Sequence, residues 1–225
     1  MNKILLVLGV VLILSSTVSF AQSNAIRIGI EGGPNRSSFW GNDFAEKGGY
    51  TKKAINFSSG VSFEYHFTDL LSFRSGLAFE RKGVTFQVQQ IDESRTKFGT
   101  ATGRSTYDYL TLPLLAKITL GDNPVFFVNA GPYLGYLLKQ TNIIEDSDIQ
   151  PGSREDRTGD NRKLDLGITT GLGAGVKVTD KVLVTMELRY NLGLYNISAV
   201  PVYNNGEVRT KSANLLIGIA HRIRD

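Results

Sequence analysis

Most of this chain alternates apolar and polar residues with a period of two, over runs longer than ordinary strands. That pattern dictates the fold class. Leu71, Phe73, Leu77 and Phe79 share one face, while Ser72, Arg74, Gly76, Ala78 and Glu80 share the other. Ile26, Ile28 and Ile30 oppose Arg27, Gly29 and Glu31. Val182, Val184, Met186, Leu188, Tyr190 and Leu192 oppose Thr185, Glu187, Arg189, Asn191 and Gly193, with Leu183 intruding. A period of two sends successive side chains to opposite faces of a strand. The candidate strands cover about 25–33, 56–67, 71–82, 107–120, 125–139, 164–178, 181–194 and 212–223. Most run to about ten residues or more, the length at which a tilted strand crosses a bilayer. Strands of soluble proteins average ~5–6 residues.

The connections alternate in length. Thr68-Asp69-Leu70, Gly121-Asp122-Asn123-Pro124 and Thr179-Asp180 are short and rich in turn-forming residues. Those near 34–55, 83–106, 140–163 and 195–211 are long and polar. Short turns at one end and long loops at the other, around an even number of antiparallel strands, describe an outer-membrane barrel. A soluble barrel alternates too, but turns its apolar face inward. The polar faces here are rich in Gly, Ala, Ser and Thr, which suits a narrow interior.

With the polar faces inward, the lumen collects Glu31, Glu64, Glu80, Asp165 and Glu187 with Arg27, Arg74, Lys117, Lys177, Arg189 and Arg222. Charges this confined must pair, since an unpaired buried ion costs several kcal/mol. Eight strands enclose only enough room for side chains. The expectation is a plugged barrel, with a salt-bridge network in place of a pore. Aromatics are expected at the two interfaces. Candidates are Tyr65, Phe67 and Phe73 around the turn at 68–70, and Phe126, Phe127, Tyr190 and Tyr195. The single Trp, Trp40, is expected in the first long loop, tucked onto the rim.

The first 21 residues read as an address. Met1-Asn2-Lys3 is basic, Ile4 to Leu14 is apolar, and Ser19-Phe20-Ala21 fits a small-x-small cleavage site. The apolar run is too short to span a membrane as a helix. The chain of 225 residues then divides into a cleavable signal peptide, 1–21, and a barrel domain, 22–225.

Composition removes several chemistries. With no Cys there is no disulfide framework, thiolate metal site, Cys nucleophile or lipidated N-terminal Cys. Two His make a His-rich metal site unpromising. A formal charge of +4 without a basic stripe argues against nucleic acid as a partner. Ser62, Glu64 and His66 share a strand face and invite a hydrolase reading. Steps of ~7 Å along one strand are too long for a triad, so an interior His with satisfied partners is the better reading. Glu145, Asp146, Asp148, Glu155, Asp156 and Asp160 are interleaved with basic residues and lack calcium-loop spacing. A solvated loop is expected there. Gly167, Gly171, Gly173 and Gly175 sit on a strand and open no helix, so they make no phosphate loop. They are expected to leave room for long charged side chains from neighbouring strands.

Several segments resemble one family. Tyr109-Leu110-Thr111-Leu112-Pro113-Leu114-Leu115-Ala116-Lys117 resembles the YLxIPLLxK strand of PorT-like outer-membrane β-barrels. Val128 to Gly135, Asp165 to Gly175, Glu187 to Leu194 and Gly29 to Asn35 resemble further strands of that family, in order. The family is similar to small barrels of the OmpA, OmpX and OmpW kind. Its namesake is implicated in protein secretion, and it carries no catalytic residues to transfer. Many such barrels end on an aromatic, whereas this sequence ends His221-Arg222-Ile223-Arg224-Asp225.

The reading is therefore an all-β, eight-stranded antiparallel transmembrane up-and-down β-barrel in a gram-negative outer membrane. It is read as non-enzymatic and without cofactor. Its partners are outer-membrane lipid and a protein met through extracellular loops or periplasmic turns. Two alternatives stay open: a lipid-modifying enzyme of the outer membrane, and a soluble exported barrel that binds an apolar ligand.

Overall fold

A computed structural model of the chain describes residues 24–41, 52–91, 97–146, 151–201 and 205–224. The expected leader, 1–21, lies outside them. The strands are β1 (Ile26–Trp40), β2 (Lys52–His66), β3 (Leu71–Ile91), β4 (Lys97–Leu120), β5 (Val125–Ile144), β6 (Ser153–Asp156), β7 (Leu164–Lys177), β8 (Val182–Gly193) and β9 (Arg209–Arg224). Each of β1 to β5 pairs with the next, β5 continues to β7, β7 to β8 and β8 to β9. β9 pairs with β1, with Ile219 opposite Ile30, and closes the ring. Every pairing is antiparallel. β6 stands outside the ring, added to the upper part of β5 with Asp156 opposite Thr141.

The short connections form tight turns. The amides of Phe67 and Thr68 donate to the Leu71 carbonyl at 3.0 and 3.1 Å, and the Thr68 hydroxyl accepts from the Leu71 amide at 2.9 Å. Val178 and Val182 close the β7–β8 turn at 2.9 Å. Gly121 takes a φ of 80°, which glycine adopts without a Cβ penalty.

The long connections differ from expectation. β1, β3, β4 and β5 extend beyond the alternating segments, and β6 is an additional strand within 140–163. The segment 83–106 is largely a continuation of the β3–β4 hairpin, with Thr85 opposite Arg104 and Val88 opposite Ala101. Beyond the apolar belt the outer face of a strand meets water instead of lipid. Alternation disappears there while backbone pairing continues.

Polarity is inverted relative to a soluble barrel. Ile30 is 64% exposed and Leu172 60% exposed on the outer face. Glu80, Lys82, Lys117, Asp165 and Glu187 are buried within the ring. A soluble barrel with an apolar lining is overturned by this arrangement. On β3 the outer belt runs from Leu71 to Phe79, which fits the ~9–11 tilted residues of a membrane crossing. It ends at Arg81, whose guanidinium grips Asp108 of β4 through two bonds of 2.6 and 2.8 Å. Lys139 of β5 faces Asp108 in register, so the belt is rimmed by charge.

The aromatics divide by parity. Phe67 is exposed and packs edge-on against Tyr65, with centroids 5.1 Å apart. Phe126 faces outward, but Phe127, also expected at an interface, is buried in the lumen. Trp40 ends β1 rather than sitting in a loop. It reaches the rim by donating to the Thr210 carbonyl at 3.2 Å.

Candidate functional site

The interior-facing side chains of the strands meet in three layers. In the middle layer, Glu31 of β1, Arg74 of β3, and Glu187 and Arg189 of β8 form a closed tetrad. Arg189 Nη1 donates to Glu31 Oε1 at 2.6 Å, and its Nε donates to Glu187 Oε1 at 2.8 Å. Arg74 bonds the other oxygen of Glu31 and lies 2.9 Å from Glu187. Each arginine thus touches both carboxylates, and the layer is electrically balanced. Asn129 of β5 adds a bond of 3.1 Å to Glu187. Gly171 makes this packing possible, because a Cβ there would sit 2.5 Å from Glu187 Oε1 and 2.6 Å from Asn129 Oδ1.

The layer toward the long-loop end centres on Lys82, which the alternation of 71–82 reaches at its last residue. Lys82 Nζ donates to Asp165 Oδ2 at 2.9 Å and to Thr210 Oγ1 at 3.0 Å. The Tyr109 and Tyr133 rings lie 5.1 and 4.9 Å from the ammonium, within cation–π range. Glu80 stands 3.8 Å from Lys82 and accepts from Ser212, Asn191 and Asn214 at 2.5, 3.2 and 3.2 Å. Lys82, Tyr109 and Tyr133 are not among the interior residues expected from the sequence. Carrying the face of Glu80 two residues further identifies Lys82.

Above this layer the barrel is stopped by an apolar plug. Ile197 lies in the β8–β9 loop but is fully buried, against Phe39 of β1 and Val84 of β3. Tyr107 and Val208 pack around it. The Asn196 side chain accepts from the amides of Ser198 and Val208 at 3.1 and 3.0 Å, folding the loop inward.

At the short-turn end, Glu64 of β2 receives Lys117 of β4 at 2.9 and 2.8 Å and Ser72 of β3 at 2.9 Å. His66 Nε2 sits 3.1 Å from Glu64 and 2.9 Å from Arg27 Nη1. The separation argued from strand rise is therefore wrong for this pair, because the side chains lean together. No triad results. The serine on Glu64 is Ser72, not Ser62, and its hydroxyl donates to the carboxylate rather than to an imidazole base.

Two expected members of the network stand apart from these layers. Lys177, 29% exposed, bonds Asp122 of the β4–β5 turn. It thereby holds the Asp122 carboxyl below the usual carboxylate range. Arg222 lines the mouth below Lys117. Both lie at strand ends, where the interior face opens and chain-neighbour turns are closer than the opposite wall.

The acidic loop is tied to itself. Arg157 meets Glu155 and Asp160 at 3.0 and 3.3 Å, and Lys139 meets Asp156 at 3.7 Å. Bonds from the Thr158 hydroxyl and amide lower the Asp156 carboxyl. Among the described residues no group of three His, Asp or Glu side chains is gathered for a metal. Asp148 lies outside the described residues.

No curated protein sequence matches the chain. Among solved structures it is similar to Neisserial surface protein A, at 12% identity over 88% of this chain and 97% of that one, with a TM-score of 0.47. It is similar to OprG of Pseudomonas aeruginosa, at 17% identity over 92% and 100%, TM-score 0.41. It is also similar to outer membrane protein W of Escherichia coli, at 14% identity over 89% and 99%, TM-score 0.41. The sequence model of the outer membrane protein beta-barrel domain matches residues 20–199, most of the ring described above, and the chain belongs to that family of integral outer-membrane proteins.

Proposed function

We propose that this protein is a sealed, non-enzymatic barrel that works at its ends, through extracellular loops or through a membrane or periplasmic partner. The long loops face outward and the short turns face the periplasm. The observation that carries this reading is the filled lumen. The tetrad of Glu31, Arg74, Glu187 and Arg189 bridges β1, β3 and β8, and the Ile197 plug lies above it. Charges bonded on both sides cannot pass solute without being torn apart, at several kcal/mol. Residues 1–21 serve as the cleaved leader in this reading. A PorT-like place beside a secretion apparatus is its specific form.

The test is conductance. The purified protein, inserted in a planar bilayer, should show no steady current steps. Stable steps that scale with salt would make it a channel and end the reading. A photo-crosslinker at Glu155 in the loop or at Asp180 in the turn then reports, in intact cells, which end meets a partner.

A further inference from the structure

The mouth at the short-turn end holds a cavity of about 350 Å³. Arg27, Lys117, Lys177 and Arg222 line it, against Asp69 and Asp122. Glu64 engages Lys117 from within the lumen and Asp122 engages Lys177 at the rim. With Glu64 included, positive charge still exceeds negative. His66 contributes its Nε2 beside Arg27.

Arg27 of β1 and Arg222 of β9 are direct partners across the strands, on the interior face. Like charges directly opposite each other destabilise a sheet. Here they stand on the wall of a cavity, where two guanidinium forks can share an anion between them. A guanidinium binds oxyanions through two parallel bonds. A carboxylate has two oxygens and one charge, enough for one fork. A phosphate group offers more oxygens and up to two charges, enough for both forks.

We propose that this cup is a binding site for a phosphate group, held between Arg27 and Arg222. The group is either free phosphate or the phosphomonoester headgroup of a lipid. The site is open to the short-turn end. Its periplasmic location rests on the orientation proposed above, whereas the site itself does not.

The experiment uses the folded barrel in maltoside micelles free of phosphate. Inorganic phosphate, glycerol 3-phosphate and acetate are titrated in separate calorimetric runs. Phosphate is expected to bind saturably, at one site, and more tightly than acetate. Arg27→Gln and Arg222→Gln should each weaken it on the order of tenfold, the loss of one charge-assisted bond. Arg81→Gln, on the outer collar, should leave it unchanged. Retention of the heat-sensitive gel shift certifies that each variant is folded. Tighter binding of glycerol 3-phosphate than of phosphate supports the headgroup source, and equal binding supports the free anion. Absence of saturable binding, acetate binding as tightly as phosphate, or full affinity in both folded arginine variants would overturn the proposal. None of these outcomes depends on whether the barrel conducts.

Discussion

Lys82 Nζ lies 2.9 Å from Asp165 Oδ2, and neither side chain is more than 1% exposed. The two come from β3 and β7, which do not pair, so the contact ties the barrel across its lumen. Replacing Lys82 by Met leaves Asp165 facing Glu80 with no cation between them. Removing one partner of a buried pair costs about 3–5 kcal/mol. The fluorescence of Trp40, the single tryptophan, should report a lower denaturant midpoint for Lys82→Met. The double variant Lys82→Met, Asp165→Asn should be less destabilised than the sum of the singles, because the two changes touch one interaction. Strict additivity would show that the pair contributes nothing as a pair.

Gly171 tests the middle layer. Its missing side chain leaves the space that Glu187 and Asn129 occupy. Glu187 cannot simply swing aside, since Arg74, Arg189 and Asn129 all hold it. Gly171→Ala should lower stability by about 1–3 kcal/mol, the range for overpacking. Gly159→Ala is the control, because a Cβ there meets nothing within 4 Å. It should stay within about 0.5 kcal/mol of the parent. Equal midpoints for the two variants would mean that the tetrad adjusts freely.

Ile197 tests the plug. It is fully buried within a loop that the sequence reads as polar. Ile197→Ala should cost about 2–5 kcal/mol, as buried Ile truncations do. Amide exchange should quicken at position 197, whose N–H donates to the Val208 carbonyl at 2.8 Å, and at Arg162, whose N–H donates to the Ile197 carbonyl at 2.7 Å. The variant should still show no conductance, since the tetrad beneath is untouched. A pore opened by this single change would make the plug, not the tetrad, the seal.

The sequence made the fold legible where two environments differ across a strand. Between lipid and lumen, Leu71 to Glu80 must alternate, and the eight ring strands follow from that demand. Above Arg81 the outer face meets water instead of lipid, so the rest of β3 and β4 loses the apolar outer stripe, although Val84 and Tyr107 still turn inward to the plug. Lys82 is weakly marked in the sequence, standing on the lumen face at the last step before the alternation ends. Phe127 is an interface candidate by residue type, but parity puts it inside with Asn129. The interior charges were readable as a set, but their pairing was not. Arg74 and Glu187 are brought together by barrel closure, which no local spacing encodes. Ile197 has no distinctive local mark, since the same segment carries Val200, equally β-branched and apolar but exposed.

The outer belt provides the test that separates a membrane protein from any soluble barrel. Ile217 and Ile223 are both 57% exposed on the outer face of β9. Exposure alone predicts that arginine is equally tolerated at either. Depth predicts otherwise. Ile217 pairs with Met186 in the middle of the belt, whereas Ile223 is close to the short-turn end of its strand. An arginine at the bilayer midplane costs about 2–4 kcal/mol and near an interface about 0–1 kcal/mol. Folding of Ile217→Arg into vesicles should therefore be weakened by the larger amount, and that of Ile223→Arg by little. In detergent, whose micelle thins and reshapes around a charge, the gap should narrow. Equal costs in vesicles would mean that the apolar belt does not lie in lipid as β9 places it, because no soluble surface distinguishes two residues of equal exposure by their height along a strand.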